Sequence, residues 1–495
     1  MGLRRFFSDF TPEKRNFIIF LVLHLLVWTC IGLIRTVLPT DSLEGIYWGS
    51  LHDFGTPKHP PLAGWITYIT YFLFKSDFSI YLLSQAFILC GFIYIYKLAR
   101  KFLDVNQSML SVVLLEGCWC YTYITGYYGF NPDVILLFTL PAIAYYFYNC
   151  MTENNLYNWL MLGIITGFSF LNKYQTALII IPMAIWAFMF KKDVFKNKLF
   201  YIAVGIAFCI FLPHILWLFK YDFFPFMYFE GELTSYVWYN HITAPLLFLL
   251  MQFALIAGTL GLFFVLKKYA KSDFVLYKNQ EKKDFWFFIL LGFCPLLIHF
   301  LLGLYDGGTM RPRWGYEFWF LLGIMLFYFF PIKVEQKEFN FGIKLGYFAM
   351  IVTFIAMGTL LSVEKNYRSR YPVAQIYNDM QQIWSENNST PLKYLGGYIE
   401  WTLPLTIYNN DGIVCLLDTF GYKSPWVDEN DQKRNGTLII DREKDGVEYY
   451  TKLSCPFLPE DYKVKPIEYK FTVTNAFNKP REYTVFYAII PSQNK

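Results

Sequence analysis

Two carboxylates, Asp41 and Glu44, stand three residues apart in the segment Asp41-Ser-Leu-Glu44-Gly-Ile-Tyr47-Trp48-Gly49. If this stretch is helical, the spacing puts both on one face, where they can supply a general base or ligands for a divalent cation. The same spacing suits a helix start at which Asp41 only caps the backbone and Glu44 is solvated. Further along, Lys58 and His59 precede Pro60 and Pro61. The prolines exclude a helix and hold an extended turn, so the two side chains are presented on a stiff segment. Cations fixed in this way suit a phosphate, although a lysine at a membrane surface can also snorkel to lipid headgroups.

Four other segments extend the inventory. Tyr127-Tyr128-Gly129-Phe130-Asn131-Pro132-Asp133 places an amide and a carboxylate at a predicted helix start, where either can serve as the N-cap. Asn172-Lys173-Tyr174 sets a cation between two apolar runs, and an ionisable residue there is a functional hypothesis by default. Pro213-His214 and Trp217 end another apolar run and are followed by Asp222, Glu230, Glu232 and His241. Arg311-Pro-Arg313-Trp314-Gly-Tyr-Glu317 offers guanidinium forks that bind phosphate oxygens in pairs, and Trp314 can stack on a sugar or anchor at the interface. Four of the six histidines, His52, His59, His214 and His241, lie in these segments. Carboxylates, imidazoles and fixed cations together match a reaction on a lipid phosphate.

The elements that must hold these residues are set by composition. The chain has 495 residues, 55% hydrophobic and only 16% charged, where soluble domains carry about 25% charge. Long apolar stretches recur through the first 362 positions, predicting a polytopic α-helical membrane protein. About eleven spans are expected, near 16–37, 78–96, 107–126, 132–149, 158–171, 174–190, 199–219, 244–266, 285–304, 317–332 and 343–362, with the pair around Lys173 open to a re-entrant or tilted arrangement. Lysines and arginines crowd alternate loops: Arg4, Arg5, Lys14 and Arg15; Lys97, Arg100 and Lys101; Lys191, Lys192, Lys196 and Lys198; Lys267 to Lys283; Lys333, Lys337 and Lys344. The positive-inside rule assigns these to the cytoplasm and the candidate segments to the outer face. The first span is expected to be retained rather than cleaved. A net charge of +5 is too small to imply nucleic-acid binding.

The domain division expected is a membrane domain over 1–362 and a soluble extracytoplasmic domain over 363–495. The tail is polar, with alternating runs at Thr437–Ile440, Tyr469–Thr474 and Tyr483–Ile490 between turn signals such as Asn410-Asp411-Gly412 and Asn435-Gly436, the pattern of a small α+β domain. Cys415 and Cys455 share this polar segment, either as a disulfide or as two thiols.

Taken in order, these motifs resemble the bacterial members of the dolichyl-phosphate-mannose-protein mannosyltransferase superfamily, which have the GT-C fold and include the lipid A aminoarabinose transferases. The resemblance is carried by Asp41-x-x-Glu44, Tyr47-Trp48-Gly49, Lys58-His59-Pro60-Pro61-Leu62-x-x-Trp65, Phe130-Asn131, Lys173-Tyr174, Pro213-His214-x-x-Trp217 and Arg313-Trp314, and in the tail by Gly396-Gly397, Tyr408 and Ser424-Pro425-Trp426-Val427-Asp428. It implies inverting transfer of a sugar from a polyprenyl-phosphate donor to a lipid or protein acceptor at a bacterial inner membrane, with the N-terminus cytoplasmic and the C-terminal domain periplasmic. Asp41 and Glu44 would be the catalytic carboxylates. Lys58, His59, Lys173, Arg311 and Arg313 would hold the donor phosphate, and Tyr47, Trp48, Asn131, Asp133, Tyr174, His214 and Trp314 would bind substrate. No nucleotide cofactor is implied. A divalent ion is an open expectation, because Lys58 stands where part of the family has an acidic residue; Asp41, Glu44 and His59 are the candidate ligands. The rival readings are a lipid-linked-sugar flippase without covalent chemistry and a ligase for preassembled glycans. A transporter would spread ionisable groups near the bilayer midplane, whereas here they concentrate on one face, with His24 a rare polar residue deep in a span.

Overall fold

The computed structural model describes residues 11–227, 237–274, 276, 280–308, 310–409, 412–416, 424 and 426–493. Glu230, Glu232, Arg4, Arg5, Lys278, Asn410, Asp411 and Pro425 lie outside the described residues. The chain forms two compact units: one of Met1–Gly32, Asp53–Ala63 and Phe78–Met357, the other of Leu33–His52, Gly64–Asp77 and Gly358–Lys495.

The first unit is helical. Among the described residues, seven helices of the chain are long and apolar enough to cross a membrane, Pro12–Ile34, Asp77–Ala99, Pro132–Thr152, Lys198–Lys220, Asn240–Tyr269, Lys282–Asp306 and Gln336–Val363. They coincide with seven of the eleven expected spans. The other four are broken or short. The run at 107–126 is a helix Val105–Val113 followed by 3-10 turns and a short helix Tyr123–Tyr128; 158–190 divides at Lys173; and 317–332 opens as a 3-10 turn, Tyr316–Leu321. The division at Lys173 was expected, but at 107–126 and 317–332 hydropathy averages over the breaks, so apolar character alone overstated helix continuity there. It also missed Leu62–Phe74, an apolar helix inside a segment expected to be loop.

His24 is fully buried and its Nδ1 lies 2.6 Å from Glu116 Oε2, while Trp28 Nε1 donates to Glu116 Oε1 at 2.8 Å. Glu116, unremarked in the sequence, is the partner that makes a histidine tolerable there. Glu317, His299 and Gln252 are likewise buried.

The second unit is built on a five-stranded mixed sheet, with β1 (Tyr394–Gly397), β2 (Val414–Leu416), β3 (Thr437–Asp441), β4 (Ile467–Thr474) and β5 (Pro480–Ile490) in the order β2-β1-β3-β5-β4. β1 runs parallel to β2 and β3, with Leu395 opposite Leu438, and β5 is antiparallel to β3 and β4. One side buries Ile439, Val447, Cys455, Ala488 and Ile490 against Tyr450, Phe457 and Leu458. Gly397 ends β1 at φ +126°, and a Cβ there would overlap the carbonyl of Ile440. Cys415 and Cys455 are separate thiols rather than a disulfide. The first donates to Thr402 Oγ1 at 3.1 Å and the second takes the amide of Gln432 at 3.5 Å.

Helix Thr40–Ser50 belongs to this unit and packs on helix Ile399–Asn409. Tyr47 Oη donates to the carbonyl of Cys415 at 2.7 Å, and its ring meets Trp426 edge to face. Tyr408 Oη accepts from Leu38 N at 2.8 Å and donates to Asp77 Oδ2 at 2.7 Å. Burial, and then the Asp77 carboxylate, push the Tyr408 hydroxyl far above its ordinary range. Gly45 and Gly49 face helix Leu62–Phe74; a Cβ at Gly49 would overlap the carbonyl of Gly64. Such small-residue spacing allows helices to approach closely.

Candidate active site

Asp41 lies in the first turn of helix Thr40–Ser50, whose N-cap is Pro39 with no side-chain cap. Asp41 is therefore not the capping residue, and its carboxylate is favoured by the helix dipole instead. Glu44, one turn on, is buried at 5% exposure rather than solvated. Trp48 shares this helix and is also buried.

In the first unit the Lys58–His59 loop is held by Thr56. Thr56 Oγ1 donates to His59 O at 2.8 Å and accepts from His59 N at 2.9 Å and Lys58 N at 3.3 Å, while Thr56 N also donates to His59 O at 3.0 Å. This local hydroxyl turn, with Pro57 inside it and Pro60 after it, leaves Lys58 and His59 half-buried. The loop is anchored by His214, whose Nδ1 lies 2.7 Å from the carbonyl of Phe54 and whose Nε2 lies 2.7 Å from Tyr174 Oη. A carbonyl only accepts, so Nδ1 carries the hydrogen and, in the neutral ring, the Tyr174 hydroxyl donates to Nε2. Trp217 stacks on His214 at 5.6 Å and covers Gly55. Pro213-His214-x-x-Trp217 thus positions the Thr56–His59 loop. His241 is similarly engaged by the carbonyl of Leu304 at 3.1 Å, and His52 lies edge-on to Tyr68 at 5.3 Å.

Asn131 is the N-cap of helix Pro132–Thr152, accepting from Asp133 N at 3.0 Å and Val134 N at 3.2 Å. Asp133 is thereby released to form a buried ion pair with Lys173. Lys173 sits in extended backbone where helix Leu156–Asn172 ends; the chain turns as Thr176 Oγ1 donates to Lys173 O at 2.9 Å and Asn172 Nδ2 to Pro132 O at 2.8 Å.

The arginine segment is pinned to the same region. Gln175 Nε2 donates to Trp314 O at 3.0 Å and lies 3.2 Å from His299 Nε2, and Gln252 Nε2 donates to Pro312 O at 2.8 Å. Arg313 lies over the Tyr128 ring at 5.2 Å. Arg311, Arg313 and Trp314 are half-buried, and the fully buried Glu317 is in electrostatic reach of Lys173, Asp133 and Arg313. Within this unit, Asn131, Asp133, Lys173, Tyr174, His214, Arg313 and Trp314 are therefore tied into one network with the Thr56–His59 loop. Thr56, Gln175 and His299 were missed, and Glu317 was read only as the end of the arginine segment. His299 carried a signal, as an ionisable residue inside an apolar run. Among the described residues no group of three or more His, Cys, Asp or Glu is gathered to hold a metal ion.

Residues 58–217 match the sequence pattern of the family described as dolichyl-phosphate-mannose-protein mannosyltransferase. The chain is 26% identical over 190 residues to the lipid A galacturonosyltransferase RgtD of Rhizobium johnstonii, an alignment spanning 37% of this chain and 38% of that relative. Over 97% of its length it superposes on 98% of ArnT from Cupriavidus metallidurans in the apo state, with a TM-score of 0.57 at 12% identity, which establishes a shared fold. Residues 58–217 thus resemble the dolichyl-phosphate-mannose-protein mannosyltransferase family, and the chain as a whole is a polytopic membrane protein that shares the ArnT fold and carries a C-terminal α+β domain.

Proposed function

We propose that this protein is an inverting membrane glycosyltransferase that moves a sugar from a polyprenyl-phosphate donor to a lipid or protein acceptor on the outer side of a bacterial inner membrane. Asp41 takes the proton of the acceptor hydroxyl as its oxygen attacks the anomeric carbon. The bond from that carbon to the lipid phosphate breaks, and the phosphate leaves with the electron pair. Glu44 supports Asp41 from the next turn. Lys58, His59, Lys173, Arg311 and Arg313 hold the donor phosphate, stabilising the charge that grows on it. Tyr47, Trp48, Asn131, Asp133, Tyr174, His214 and Trp314 shape or support the substrate pocket. The basic loops assign the N-terminus to the cytoplasm and the C-terminal unit to the periplasm.

The observation that carries this reading is the Thr56–His59 loop, where a cation and an imidazole are fixed by a hydroxyl turn and by His214, at the point where the family pattern begins. The test is mass spectrometry of lipid A, core glycolipids and envelope glycoproteins from a host lacking the gene, complemented with wild type or Asp41→Asn. One sugar mass lost on deletion and restored only by wild type is the expected result. Equal rescue by Asp41→Asn overturns the assignment of Asp41, and unchanged glycans overturn the reaction.

A further inference from the structure

Around the Asp133–Lys173 pair, three buried polar groups have an unusual imbalance. Asn172 Oδ1, Gln175 Oε1 and both carboxylate oxygens of Glu317 have no hydrogen-bond partner on any other described residue. All four are acceptors. The amide orientations are not arbitrary, because each amide nitrogen is committed to a backbone carbonyl, Asn172 Nδ2 to Pro132 O and Gln175 Nε2 to Trp314 O, which leaves the oxygens on the other side. Asn172 and Glu317 are fully buried, where an unmatched acceptor carries its whole desolvation cost. Such a group calls for a partner, which a ligand or an ordered water can supply.

We propose that Glu317, Asn172 and Gln175 are specificity-determining residues that receive the hydroxyl or ammonium donors of the transferred sugar and disfavour a sugar bearing a carboxylate. This rests on the donor-phosphate reading of Lys173 and Arg313, which places the glycosyl group beside these acceptors. A uronosyl group would offer one donor fewer to the four oxygens. A neutral or amino sugar offers them its full set of hydroxyl or ammonium donors. The preference is therefore opposite to that named for the relative RgtD, which is a galacturonosyltransferase.

The test measures binding of four probes to the purified full-length protein in lipid nanodiscs: polyprenyl phosphate alone, and polyprenyl phosphate carrying a neutral hexose, an amino sugar or a hexuronic acid. Wild type should bind the neutral or amino-sugar lipid about tenfold more tightly than the hexuronosyl lipid. Glu317→Gln should narrow that ratio to about twofold or less. Equal or tighter wild-type binding of the hexuronosyl lipid overturns the proposal without any variant, and so does a ratio unmoved in folded Glu317→Gln. If bare polyprenyl phosphate and all three conjugates fail to bind, the donor reading itself falls, and the specificity assignment with it.

Discussion

Helix Thr40–Ser50 and the network around Lys173 both carry family-like residues, yet their side chains are satisfied in different ways. In the first, Tyr47 bonds to Cys415, Tyr408 bonds to Leu38 and Asp77, and Gly45 and Gly49 admit a neighbouring helix. These motif residues hold a scaffold, and Asp41 rides on it half-exposed. In the second, Asn131 caps a helix and Asp133 pairs with Lys173, while acceptors on Asn172, Gln175 and Glu317 have no partner among the described residues. A motif residue is therefore a weaker pointer to substrate contact than an unmatched polar atom beside it. His214 illustrates this, since both ring nitrogens are spent on protein groups.

The largest effect expected is at Asp41. Asp41→Asn should cut turnover by about 10²–10⁴-fold with the melting temperature within a degree or so of wild type, as measured by glycosyl transfer and thermal unfolding in detergent. Near-normal turnover would move Asp41 to the scaffold side of the comparison.

Next comes the Asp133–Lys173 pair. Removing one partner of a buried pair leaves an uncompensated charge, so Lys173→Met should destabilise the protein by about 3–5 kcal/mol. The double variant Asp133→Asn with Lys173→Met should recover part of that loss, because the two residues are coupled. Additive losses in denaturation experiments would show that the pair is not the source of the stability. On the scaffold side, Gly49→Ala should cost about 1–3 kcal/mol through overlap with Gly64, with turnover per folded molecule nearly intact.

Thr56 sharpens the comparison because its effect should be on function alone. Thr56→Val removes the hydroxyl that organises Lys58 and His59 and should raise KM for the lipid donor several-fold with kcat little changed. Thr56→Ser should restore it. A change in kcat without KM would assign the loop to the chemical step instead.

These contrasts also show what sequence could disclose. The seven long helices and the strands β3, β4 and β5 were legible, because apolar length and period-two alternation are local properties. β1 and β2 span only four and three residues, and β1 ends in two glycines, so neither carries a strand signal. The cations of the site were visible as residue types. Their partners were not, since Lys173 and Asp133 stand 40 positions apart, and Thr56 acts through a hydroxyl turn that resembles any other threonine in a loop.

The smallest effect expected lies in the second unit, away from the candidate site residues. Asp431 accepts from Lys393 Nζ and Tyr394 Oη, both at 2.6 Å, and these bonds hold its carboxyl down to about 2, from an ordinary value near 3.8. A carboxyl depressed on folding contributes stability that is present above its unfolded value and is lost as pH falls through its folded one. The window is thus from about pH 4 down to pH 2. Asp441 works in the opposite sense, since burial raises its carboxyl and folding there is favoured by acid. Comparing wild type with Asp431→Asn cancels the Asp441 contribution. The variant should melt about 1–3 °C lower near pH 6, and the difference should shrink toward zero by pH 2. A gap that stays constant across that range would mean that the Lys393 and Tyr394 contacts stabilise the sheet through packing rather than through charge.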